Sequence, residues 1–333
     1  MGTPLTRVSP DSSILYMDKF KNTLLYAAVL ATVGIQPSMA DDSTGDMFER
    51  KVFLEEFTTE NCNNCPAASV KLHNILELPE YENRLIAVCH HVGFETDWLT
   101  LPEEKDYLWL YNSDEKYAPG LMIDRMPTFT ETSPVFGMTL LSEEQISEEI
   151  DKRLTVLSPV SVKVSAEVSD DGEVSVTVEG EKTAAEPQKD AKVTLYLVEN
   201  DVPAHRQSGA LDGFIHQHVT RAMNSTWGES ISWKENKFNY RYTFRLEDTW
   251  NHSNMEVVAI VNRDVPSNVL KCEVLNADSY PLEQKPSGIS GTAAEAVTPT
   301  AFYDLTGRRL NACPESGLYI AVYSDGSARK LYR

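Results

Sequence analysis

The chain has 333 residues, with 50 Asp and Glu against 30 Lys and Arg, a formal charge of −20 at pH 7. That length exceeds one small domain and predicts two folded domains with tails. So acidic a surface repels nucleic-acid phosphates and anionic lipid headgroups, which excludes nucleic acid as a partner.

At the N-terminus, Lys19 and Lys21 precede an apolar run from Leu24 to Ile35, and Pro37-Ser38-Met39-Ala40 offers a small-x-small cleavage site. Basic, apolar and small segments in that order predict a secretory signal peptide over residues 1–40, starting at Met17. Cleavage there removes three basic and two acidic residues and leaves a formal charge of −21. No later stretch approaches the ~20 apolar residues of a membrane-spanning helix. Five cysteines remain (Cys62, Cys65, Cys89, Cys272 and Cys313), and their odd number leaves at least one thiol free or paired with another molecule.

The stretch Val52 to Leu78 reads strand, turn, helix. Val52, Phe53, Leu54 and Phe57 form an apolar run; Cys62-Asn63-Asn64-Cys65-Pro66 follows; then Ala68, Leu72, Ile75 and Leu76 recur on one helical face. Two cysteines therefore sit at a helix start, where free N–H groups and the positive end of the macrodipole favour thiolate over thiol. Disulfide exchange needs such a thiolate and a second thiol near enough to resolve the mixed disulfide. An inert pair, or half of a zinc site completed by Cys89 or a histidine, is the competing reading. Residues 85–92 are almost continuously apolar, as in a doubly covered strand, and complete a βαβ unit. An aromatic, acidic segment over 95–124, with Trp98, Tyr107, Trp109, Tyr111 and Tyr117, reads as a helical insertion whose rings either form its core or line a groove for extended polypeptide. Ser142 to Leu157 is a helix, opened by a Ser142/Gln145 capping box and burying Ile146, Ile150, Leu154 and Leu157.

At Pro159 the period changes to two. Val160 to Val168 and Val174 to Val178 alternate about an Asp170-Asp171-Gly172 turn, and further strands are predicted at 191–199, 237–246, 255–261 and near 270–275. Short strands without long helices predict an immunoglobulin-like β-sandwich over 159–278, after a first domain over 41–158. Residues 279–298 read as a linker and 299–333 as a small β tail. His216 and His218 alternate as metal-chelating strand residues would, but with no third ligand nearby hydrogen-bonded histidines are the better reading; no metal and no cofactor is expected. His90 and His91 point to opposite faces if extended, which lets one of them approach the cysteine pair and stabilise the thiolate, although a packing or edge role is the better reading.

Strand, Cys-x-x-Cys-Pro helix, strand, and a later Met126-Pro127-Thr128 opening a strand together resemble the thioredoxin fold. The resemblance implies that Cys62 attacks, Cys65 resolves, Pro127 is a cis proline facing the cysteines, and Glu56 is the buried acid that takes a proton from Cys65. Of Glu55 and Glu56, only one is then expected to face inward. Met126, Thr128 and Trp98 would contact substrate, a polypeptide thiol or disulfide of the cell envelope. Asn61 and Asn63-Asn64 depart from the thioredoxin pattern. More narrowly, Glu55 to Thr58 with Asn61 to Pro66, Leu195 to Asn200 and His216 to Arg221 are similar to the Bacteroidetes outer-membrane proteins named for a mass of twenty-eight kilodaltons. The tail, with Tyr303 to Arg308 and Gly317 to Ile320, resembles a type IX secretion sorting signal. These resemblances imply an α+β multidomain protein at the envelope or surface, acting either in thiol–disulfide exchange or as a non-enzymatic binding or adhesion protein.

Overall fold

The computed structural model describes residues 47–93, 95–104, 107, 118–183, 190–265, 267–282, 299–303, 308–310, 312, 314, 318–323 and 328–332. The expected signal peptide, Trp109, Tyr111, Tyr117, Cys313 and the stretch 283–298 of the expected linker lie outside these residues. In the first half, β1 (Val52–Phe57) leads through a turn to α1 (Cys65–Leu76), then β2 (Leu85–His90), β3 (Gly120–Ile123), β4 (Phe136–Gly137) and α2 (Glu143–Leu154). β1 and β2 are parallel, β3 runs antiparallel to β1, and β4 antiparallel to β3. The capping box forms as expected, Ser142 Oγ accepting from Gln145 N and Gln145 Oε1 from Ser142 N. Ile146 and Ile150 are fully buried, whereas Leu157 lies beyond the helix and is half exposed.

The second half contributes β5 (Lys163–Val168), β6 (Glu173–Glu181), β7 (Ala191–Glu199), β8 (Val202–Pro203), β9 (Ile215–His216), β10 (Val219–Met223), β11 (Glu229–Ser230), β12 (Lys237–Arg245), β13 (Met255–Arg263) and β14 (Val274–Pro281). The 163–181 hairpin and the strands at 191, 237 and 255 stand where the alternation predicts them. β14 starts later than expected, because Val269–Lys271 is a 3-10 turn.

The expected division between 158 and 159 does not hold as a boundary between sheets. Strand β10 pairs with β7 on one side and, through Val219 opposite Cys89, with β2 on the other. One sheet thus runs β14-β13-β7-β10-β2-β1-β3-β4 across both halves. The expected separate sandwich is instead a three-stranded sheet, β12-β6-β5, stacked on part of that large sheet. Val164, Val174, Val176, Val178, Phe238 and Phe244 meet Val193, Leu195, Leu197, Val257, Ala259 and Val261 in one apolar core. Beside it, α1 and α2 cover the β1–β3 region through Leu54, Ala68, Leu72, Ile75, Ile146 and Ile150. The alternate residues Phe53, Phe57, Val88, Met122, Tyr196, Val258 and Ile260 form a third core. The tail strands β15 (Pro299–Tyr303), β16 (Arg309–Leu310), β17 (Leu318–Tyr323) and β18 (Ala328–Tyr332) make a sheet of their own, one strand more than expected.

Two further expectations are corrected by register. The expected insertion over 95–124 ends in a strand, since Gly120–Ile123 is β3. Met126-Pro127-Thr128 does not open a strand; it follows β3 in a turn where Met126 N bonds Ile123 O at 3.0 Å and Thr128 Oγ1 bonds Met126 O at 3.0 Å. The cis peptide among the described residues is Ala118–Pro119, at the head of β3, and not Met126–Pro127.

Candidate functional site

Cys62 and Cys65 are joined as a disulfide, with Cα atoms 5.4 Å apart. Thr58 to Asn61 carry the chain from β1 to this motif, and the turn is closed by Cys62 N to Thr59 O at 3.1 Å. Cys65 is the first residue of α1. The N-cap Asn64 makes no side-chain cap bond, Pro66 lies in the first turn, and no acidic residue stands there. The sulfurs therefore sit against an unscreened positive helix end, as the spacing predicts. Both cysteines are buried, Cys62 to 4% and Cys65 to 1% exposure.

Both glutamates of β1 are buried, not one as expected. Alternation sends them to opposite faces of the sheet. Glu56 lies on the α1 side and accepts from Ser69 Oγ at 2.6 Å. Burial pushes its carboxyl up; the Ser69 hydroxyl and the more distant His218 and His91 only partly offset this. Cys89, its partner on β2, is a free buried thiol, and burial followed by the Glu56 charge pushes it well up. Glu56, Ser69, His73, Cys89, His216 and His218 line a cavity of about 150 Å³ between α1 and the β9–β10 turn.

Glu55, on the other face, is clamped by Arg125, whose Nε and NH2 each donate to its carboxylate at 2.8 Å. Two successive left-handed residues, Asp124 and Arg125, turn the chain after β3. Arg125 also donates to Tyr196 OH at 2.7 Å, and His90 bridges Glu55 and Glu104 at 3.4 and 3.0 Å. Burial raises the Glu55 carboxyl, but the guanidinium more than offsets it and holds it at about 2. His90 thus belongs to this ion cluster. His91 bonds Asp97 at 2.8 Å, and its ring packs edge-on against His216 at 4.7 Å.

The register separates the expected site residues. Gly120 pairs with Phe57, so Pro119 stands at the cysteine end of β1; Ile123 pairs with Leu54, so Met126, Pro127 and Thr128 lie toward the opposite end. Trp98 does reach the cysteine loop: its Nε1 donates to Glu60 Oε1 at 3.0 Å, and its ring stacks on His205 at 3.9 Å. His216 and His218 do not share a strand face, because β9 ends at His216 and His218 is left-handed. No group of three or more metal-binding side chains occurs among the described residues.

Sequence reasoning missed Glu60 and the β8–β9 hairpin tip. Glu60 accepts from Trp98 and from the backbone of His205 and Arg206, at 2.7 and 3.3 Å. Gln207 Nε2 donates to Cys62 O at 3.0 Å, and Ser208 N to Glu60 O at 2.8 Å. A Ser208-Gly209 dipeptide signals a turn and nothing about what the turn covers.

The family model described as Outer membrane protein Omp28 matches residues 135–277. Over that segment the chain is Omp28-like. The match begins beyond the cysteine motif, so Cys62 and Cys65 lie outside it. Among solved structures, HBP35 of Porphyromonas gingivalis is similar at a TM-score of 0.59 and 21% identity, covering 86% of this chain and 98% of that one. This likeness extends through both halves of the fold. A domain of the outer membrane lipoprotein Omp28 from the same organism aligns at a TM-score of 0.28 and 24% identity, over 38% of this chain and 88% of its own. No curated protein matches the sequence. A location in the cell envelope, outer membrane included, agrees with the Omp28 match. Among the described residues no helix is long and apolar enough to cross a membrane.

Proposed function

We propose that this is an exported, thioredoxin-type protein of the cell envelope that exchanges thiols and disulfides with other polypeptides through Cys62 and Cys65. The observation that carries the reading is the joined pair at the uncapped start of α1, with a buried carboxyl on the strand behind it. The β2-β1-β3-β4 order, with only β1 and β2 parallel, supports a thioredoxin-type frame. The stacked sheets of the second half support an immunoglobulin-type module fused onto it, and the four-stranded tail is read as the sorting signal. In the reducing direction Cys62 thiolate attacks a client disulfide and the client's first leaving thiolate takes up a proton. Cys65, its proton passed to Glu56, then attacks Cys62 Sγ, re-forming the Cys62–Cys65 bond and releasing the client's second sulfur as a thiolate that is protonated in turn. Pro119, not Pro127, stands at the end of the sheet where a client backbone would pass.

The Cys65→Ala protein, mixed with a disulfide-bearing unfolded polypeptide, should accumulate a mixed disulfide on Cys62. Glu56→Gln should slow resolution by about 100-fold or more. No adduct on Cys62 under any redox condition would sink the reading. A non-enzymatic binding protein on the same scaffold is the second reading, favoured by the 4% exposure of Cys62; it expects Cys62→Ala to bind its partner as the wild type does.

A further inference from the structure

The cysteine motif is closed from above by a segment that begins 140 residues later in the chain. Strands β8 and β9 pair as a short hairpin, Val202 with His216 and Pro203 with Ile215, and Ala204 N bonds Phe214 O at 2.9 Å. The tip between them folds over the cysteine loop. His205 N and Arg206 N meet the Glu60 carboxylate, Ser208 N meets Glu60 O, and Gln207 Nε2 reaches both Cys62 O at 3.0 Å and Thr59 O at 3.4 Å. At Gly209, which is left-handed at φ +78°, a Cβ would lie 2.0 Å from Asn63 O, so the two backbones touch.

Apart from the His205 ring stacked on Trp98 at 3.9 Å, the attachment is polar. Of the residues from 204 to 213, only Gln207 is buried; His205, Arg206, Gly209, Leu211, Asp212 and Gly213 are exposed, and Leu211 is 92% exposed at the far end. A segment held by a few hydrogen bonds and one ring stack, His205 on Trp98, with a single buried side chain of its own, opens locally at low cost. What it satisfies are backbone acceptors and a carboxylate that any extended chain with free N–H groups can engage.

We propose that the 205–209 tip is a displaceable plug holding the place of a client polypeptide, and that an extended, cysteine-bearing segment replaces it to reach Cys62. This rests on the exchange reading given above. In the oxidising direction, a client thiolate attacks Cys62 Sγ, the Cys62–Cys65 bond breaks, and Cys65 leaves as a thiolate that takes a proton from Glu56. A second client thiolate then attacks the client sulfur of the mixed disulfide and releases Cys62. The client dithiol ends as a disulfide, and the protein takes its two electrons as two reduced cysteines.

The test compares full-length wild type with Gly209→Ala, whose Cβ and left-handed backbone both oppose closure, and with Gln207→Ala, which removes the buried anchor. Reduction of the disulfide by dithiothreitol, followed by alkylation and mass, should be about tenfold faster in both variants, the scale of one or two lost hydrogen bonds. If one variant fails to fold, the other carries the measurement. Equal rates in wild type and folded variants overturn the plug. A synthetic extended peptide with two cysteines separates the two ideas. Faster oxidation of the peptide by the variants supports both. Faster dithiothreitol reduction with no peptide oxidation by any of the proteins keeps the plug and removes the exchange function.

Discussion

Glu55 and Glu56 are adjacent, equally hidden from water, and chemically opposite. Glu55 faces a full positive charge in bidentate contact, the Tyr196 hydroxyl and a histidine. Glu56 faces a hydroxyl, a thiol and a cavity. The first is a closed electrostatic unit that fixes β1, β3 and β7 together. The second is a carboxyl whose charge is incompletely compensated and whose proton has somewhere to go. Burial alone therefore does not mark a functional acid; the nature of its partner does.

The largest expected effect is on the Glu55 side. Arg125→Leu strands a buried carboxylate and should lower the unfolding free energy by about 3–5 kcal/mol, read by urea denaturation. The double variant Glu55→Leu/Arg125→Leu should recover much of that loss, because it removes both charges. A loss as large in Glu56→Gln would break the contrast between the two faces.

His216 tests the Glu56 side, since it lines the same cavity. Burial, then the neighbouring His91, lowers its folded pKa from 6.5 to about 4. Above pH 6.5 both folded and unfolded forms are neutral and the stability is complete. As pH falls from 6.5 to 4 the unfolded chain takes a proton that the folded ring refuses, which costs about 3 kcal/mol. His216→Gln should remove that part of the acid sensitivity, measured as unfolding free energy between pH 7 and 4.5. An unchanged slope would mean that the ring opens to water before it titrates.

How much of this could be read in advance follows from how far apart the deciding residues lie. The apolar period placed β1, α1 and β2, and the Ser142/Gln145 box placed the start of α2, because each signal lies within about a dozen residues. The proline at the cysteine end was misplaced because Met-Pro-Thr is a local motif, whereas the strand beside β1 is set by Phe57 opposite Gly120. The continuity of the sheet between the two halves rests on one strand-pairing position, Val219 with Cys89, which leaves no periodic trace. The plug was illegible for the same reason: His205 meets Glu60 across 145 residues, mostly through backbone groups that every residue possesses.

The smallest expected effect concerns the two glutamates directly and is a matter of sign. Glu55, held at about 2 against an ordinary 4.5, adds stability above pH 4.5 that is lost as pH falls toward 2. Glu56 is raised, so its folded form gains a proton before its unfolded form does, and its contribution is fully present below 4.5 and lost as pH rises through the folded pKa. Glu56→Gln should thus be as stable as wild type at pH 4 and more stable at pH 8, by about 1.4 kcal/mol for each unit of elevation. Were Glu56 instead paired like its neighbour, the variant would be the less stable protein at pH 8. The sign of that one difference decides whether the acid behind the disulfide is held in reserve for a proton or spent on the fold.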